Sequence, residues 1–122
     1  MPRKPIVDDM LPLKPVDFLV LMVLAENERH GYGIVQDIAE STGGRIRLVP
    51  GNLYSVLRRL IHLGIIQESA RRPAADLDDE RRRYYTITAL GNRVLKAEAE
   101  RLRDLVALAE SRSILDRAET AP

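Results

Sequence analysis

Apolar positions along the chain recur at helical spacing in four stretches and alternate in shorter ones, with breaks rich in glycine, proline or charge. Pro15 suits the first turn of a helix, and from Val16 to Ala25 every position but Asp17 is apolar. A helix apolar on nearly all sides belongs in a core or at a subunit contact. After the polar turn Glu26-Asn27-Glu28-Arg29, the stretch His30-Gly31-Tyr32-Gly33-Ile34 opens a second helix that Gly43-Gly44 stops after Ser41. Arg45-Ile46-Arg47-Leu48-Val49 alternates charged and apolar residues, which predicts a very short strand. Pro50-Gly51 opens a third helix through about Leu63, and Gly64 caps its end.

The period then changes. Ile65–Ser69 and Arg83–Ile87 read as the two strands of a hairpin, with an exposed loop of arginines and acids over 70–82. Thr88 is a good N-cap for a last helix, whose stripe holds Leu90, Val94, Leu95, Leu102, Leu105, Val106 and Leu108. Leu95, Leu102 and Ala109 lie seven apart, a stripe longer than a small core requires, which points to a partner helix. This order of elements is that of a winged helix. The expected fold class is α+β, mostly α, a winged helix-turn-helix with a two-stranded wing and a C-terminal dimerisation helix. The expected boundaries are 1–14 for a flexible arm, 15–87 for the DNA-binding domain, 88–117 for the dimerisation helix and 118–122 for a disordered tail.

Composition narrows the function. The 122 residues are 45% hydrophobic and 30% charged, ordinary for one folded domain. Aromatics are only 4% and Trp is absent, so the core must be mostly Leu, Ile, Val and Ala. The net charge of +1 leaves only a local patch for any polyanionic partner. With no cysteine, disulfides, thiolate metal sites and Cys nucleophiles are excluded. The apolar run Phe18–Ala25 is preceded by Asp8, Asp9 and Asp17 and is far short of the ~20 residues that span a bilayer. The expectation is a cytoplasmic protein with no membrane partner.

Chemistry concentrates on the third helix, "GNLYSVLRRLIHLG". At roughly 100° per residue, Val56, Leu60, Leu53, Leu57 and Ile61 share one side, while Asn52, Arg59, Ser55, His62 and Arg58 share the other. That second face carries no acid. Arg, Asn and Ser are side chains that read base edges in the major groove. Tyr54 sits at the border, where its hydroxyl could reach a phosphate. Arg71, Arg72, Arg82 and Arg83 flank acids in the hairpin loop, with Arg82 and Arg83 the better placed for a backbone contact. At the second helix, exposed N–H groups and Tyr32 could face a phosphate while His30 caps the turn. Enzymatic readings find no support: neither histidine has a nucleophile or metal-spaced partner, and "GYG" follows no strand and precedes no lysine. No cofactor is expected.

Together, "HGYGI", "GNLYSVLRRLIHLGII" and "RRRYYTITALG" resemble, in order and spacing, the PadR family of winged-helix transcriptional regulators over about residues 13–110. The resemblance implies a homodimer joined through the first and last helices, with Phe18, Leu19, Met22, Leu95, Leu102, Leu105 and Ala109 as the interface. It implies binding to a palindromic operator in double-stranded DNA, usually in repression, with helix three in the major groove and the hairpin as wing. A small apolar or phenolic effector is the ligand class it suggests. The chain departs from the family's usual pattern at Val49, Asn52, Ser55 and Ile61 and in its longer, more acidic wing. Two other uses of the same surfaces stay open at this level: a winged-helix adaptor that binds protein, and a small-molecule-binding dimer with no primary DNA role.

Overall fold

The computed structural model describes residues 7–69 and 83–117. Its elements are a 3₁₀ turn (Asp8–Met10), α1 (Pro15–Glu26), β1 (Arg29–His30), α2 (Gly31–Ser41), α3 (Pro50–His62), β2 (Ile66–Glu68), β3 (Tyr84–Ile87) and α4 (Ala89–Ser111).

Each helix begins and ends for a local reason. Proline at the first turn starts α1 and α3, where its missing N–H costs no hydrogen bond. The His30 side chain caps α2, its Nδ1 accepting from the Gly33 N–H at 2.9 Å. Thr88 caps α4, its hydroxyl accepting from the Gly91 N–H at 3.0 Å and donating to the Gly64 carbonyl at 2.7 Å. α3 stops where Gly64 turns to φ +80°, so that its N–H reaches the Ile61 carbonyl and the next N–H, of Ile65, reaches Leu60. Gly43 ends α2 in the same way at φ +62°.

The three strands form one antiparallel sheet in the order β1-β3-β2, with Arg29 opposite Tyr85 and Gln67 opposite Thr86. The wing strands are therefore where the sequence predicted them. The third strand is not: Arg45–Val49 stays unpaired, and β3's other edge is taken by Arg29–His30 in the polar turn. Ile46 and Leu48 still pack against the core, so the alternation reports burial of one side rather than strand pairing.

The aliphatic core joins Val20, Leu21, Val23 and Leu24 of α1 to Ile34 and Ile38 of α2 and to Leu53, Leu57 and Leu60 of α3. Ile65, Ile66, Tyr85 and Val94 close it. α1 lies against α2, α4 and β3, while α3 lies against α2 and β2. Residues 7–14, expected to be a loose arm, instead pack on this core through Val7, Met10, Leu11 and Leu13. The Leu13 N–H also donates to Glu98 Oε2 at 3.3 Å. No helix among the described residues is long and apolar enough to cross a membrane.

Candidate nucleic-acid interface

α3 buries Leu53, Tyr54, Leu57 and Leu60 and turns Asn52, Ser55, Arg58 and His62 to the surface. The exposed face is free of acids, and its first turn holds none. It therefore combines side chains of the types that can read base edges with the partial positive charge of a helix N-terminus.

Two members of the set inferred from the helical period stand elsewhere. Tyr54 is a core residue, 9% exposed, and its hydroxyl lies beneath the start of α2, where a Cβ on Gly31 would come within 3.1 Å of it. Its position about 200° around the helix from Asn52 falls on the buried side of the border, so the phenol fills space under Gly31 rather than facing outward. Arg59 is only half-exposed, and its guanidinium is engaged by a carboxylate of α1. Its Nη1 donates to Asp17 Oδ2 at 2.6 Å and its Nη2 to Oδ1 at 3.0 Å. The hydrogen bond to Asp17, foremost, holds the Arg59 guanidinium above its ordinary pKa, against the opposing effect of burial. Asp17 is itself buried, its side chain 5% exposed.

Tyr32 projects from α2, 62% exposed, with its ring stacked on His30 at 6.5 Å between centroids. His30 meets Tyr84 of β3 edge-on at 5.5 Å. Because His30 Nδ1 accepts a backbone N–H, the neutral ring carries its proton on Nε2. Arg45 and Arg47 are exposed just before α3 and were not among the residues singled out from sequence. The signal for them was present: the alternation that sends Ile46 and Leu48 inward sends both arginines outward.

At the wing, Arg83 is half-buried and pairs with Glu68 across the hairpin at 3.6 Å, so part of its charge is neutralised within the protein. Arg71, Arg72 and Arg82 lie outside the described residues. The dimer candidates separate by burial. Phe18, Leu19, Leu95, Leu102 and Ala109 are half-buried, while Met22 and Leu105 are 39% and 49% exposed. Met22 and Leu19 line a groove of about 240 Å³ with Val23, Glu26, Asp37, Ile38 and Ser41. Among the described residues no group of His, Asp and Glu could hold a metal ion.

Among the described residues, four helices and a small antiparallel sheet make a winged helix, with α3 turning a polar, acid-free face outward. The profile of the transcriptional regulator PadR-like family matches residues 20–97, so the chain belongs to that family. An uncharacterised protein of Lysinibacillus sphaericus is 32% identical over 81 residues, 66% of this chain and 71% of that one. The fold is shared with a transcriptional regulator from Clostridium thermocellum (TM-score 0.64, 23% identity, covering 91% of this chain and 97% of that one). It is shared with a PadR family transcription regulator from Clostridium difficile (TM-score 0.67, 21% identity, 80% and 97%). Bacillus subtilis PadR in complex with operator DNA superimposes with a TM-score of 0.58 at 20% identity, covering 89% of this chain and 51% of that one.

Proposed function

We propose that this chain is a dimeric, sequence-specific DNA-binding repressor. The observation that carries this reading is the exposed, acid-free face of α3, in a chain whose acids and bases are nearly equal in number. Asn52, Ser55, Arg58 and His62 read base edges in the major groove, while Arg45, Arg47 and Tyr32 hold the backbone on either side. Two copies related by a two-fold axis place two such helices on a palindromic operator, with half-sites about 34–36 Å apart. The stripe beyond Glu98 and the exposed Met22 supply the apolar surface for the pairing. At about 240 Å³, the groove beside Met22 is smaller than the ~300 Å³ at which drug-sized sites begin. A small apolar effector would need a second copy to complete its walls.

Selection of bound fragments from sheared genomic DNA, followed by mobility shift at several salt concentrations, tests the reading. The expected result is enrichment of a palindrome whose affinity falls steeply with salt, as phosphate contacts require. Retention of a protein partner with no salt-sensitive binding to any duplex would favour an adaptor instead.

A further inference from the structure

The Asp17–Arg59 ion pair joins the two helices to which the proposed function gives different tasks. Asp17 stands in the first turn of α1, immediately before Phe18 and Leu19 of the candidate dimer face. Arg59 stands in the last turn of α3, immediately after Arg58 of the reading face. The two residues are 42 apart in sequence, and the paired bonds of 2.6 and 3.0 Å fix orientation as well as distance. Apolar packing relates α1 to α3 mainly through α2, since α1 lies chiefly on α2, α4 and β3, and α3 on α2 and β2, whereas the ion pair ties the two directly. As a source of stability a pair whose arginine is 40% exposed is a poor choice, because solvent screens much of its attraction. Its distinctive contribution is geometry: a planar fork on a carboxylate permits little sliding or rotation.

We propose that the Asp17–Arg59 pair sets the half-site spacing that the dimer accepts, with Asp17 as the positioning residue. In a two-fold dimer the distance between the two reading helices depends on how each α3 is held relative to the α1 at the interface. Any give in that tie enters twice, once per copy. A rigid tie therefore penalises operators whose half-sites are one base pair too close or too far. Arg59 acts through the register of the helix rather than by touching a base. The inference rests on the DNA-binding reading above and adds a determinant of spacing to it.

The test uses the full chain and duplexes that the unaltered protein selects from a randomised library. A panel then keeps those half-sites and inserts or removes one base pair between them. The unaltered protein is expected to discriminate sharply against both changes. The double variant Asp17→Leu/Arg59→Met leaves no stranded charge; it is expected to keep the preferred half-site bases and to lose discrimination by about fivefold or more. Arg59→Lys keeps the charge but exchanges the fork for one contact, and is expected to relax spacing partway; it keeps the test decisive should the double variant not fold. An unchanged spacing profile in either folded variant overturns the proposal. So does an altered base preference with spacing intact, which would return Arg59 to base reading. If the unaltered protein selects no duplex, the functional reading fails first, before any variant is made, and takes this proposal with it.

Discussion

Within α4, residues 89–98 and residues 99–111 share a stripe of apolar positions but have opposite surroundings. In the first part Gly91, Val94 and Glu98 are buried, and the Ile65 carbonyl sits where a Cβ on Gly91 would be. In the second part no residue is buried, and Leu105, Val106 and Leu108 are each nearly half-exposed. The second part extends about 20 Å at 1.5 Å per residue. A helix that only closed its own domain would have no reason to continue its leucines past the core. The contrast teaches that one element can hold two kinds of apolar residue: those packed into this chain's own core and those its own fold leaves uncovered. The comparison can be broken at each part separately.

The largest effect belongs to the first part. Gly91→Ala drives a methyl into the Ile65 carbonyl and the Ile87 side chain, so α4 must lift away from the end of β2. Overpacking of this kind costs about 3 kcal/mol, and here the obstacle is backbone, which cannot rotate aside. Denaturant unfolding should show a lowered midpoint at any protein concentration. A variant with unaltered stability would mean that α4 is not seated on β2 as described.

Leu105→Glu probes the second part. At an exposed position the monomer should change by no more than about 0.5 kcal/mol. Its assembly should change far more, because a two-fold contact carries the substitution twice. Sedimentation equilibrium should find monomer where the unaltered chain is dimer, and operator affinity should fall with it, since each monomer reaches one half-site. A variant that remains dimeric would place the interface elsewhere, and the comparison between the two parts of α4 would lose its functional meaning.

Much of this was legible in the residues, for reasons that also explain the gaps. Caps and stops are local chemistry, so His30, Gly64 and Thr88 were readable within a few positions of where they act. The helical period also separated Asn52, Ser55, Arg58 and His62 from the core side of α3. The period describes a helix alone, however. It could not report that Asp17 of α1 stands beside Arg59, or that Tyr54 lies beneath Gly31. The third strand was missed because two residues have no period, and their pairing with β3 spans more than fifty positions. Nothing in the residues around Glu98 marks it as interior; α1 and residues 7–14, packed against α4 from distant parts of the chain, bury it.

Glu98 marks the boundary between the two parts of α4, and its ionisation offers the finest test of the division. The carboxylate is 1% exposed, yet Arg101, one turn on, donates to both its oxygens at 2.7 Å. Those bonds, foremost, hold Glu98 below the ordinary carboxylate value of 4.5; burial pushes the other way, and the Leu13 N–H adds a smaller downward contribution. A carboxyl whose pKa is lower folded than unfolded binds its proton more readily in the unfolded chain. The stability it contributes is therefore fully present above the unfolded value and is lost as pH falls below about 4.5 toward the folded value. Glu98→Gln keeps the volume without the charge, so its unfolding midpoint should lie below that of the unaltered chain at neutral pH, with the gap narrowing in acid. Because Glu98 also receives the Leu13 N–H, protease access to residues 7–14 should rise over the same pH range in the unaltered chain. A constant gap between the two proteins down to pH 3 would mean that Glu98 is not the ionised anchor of this junction.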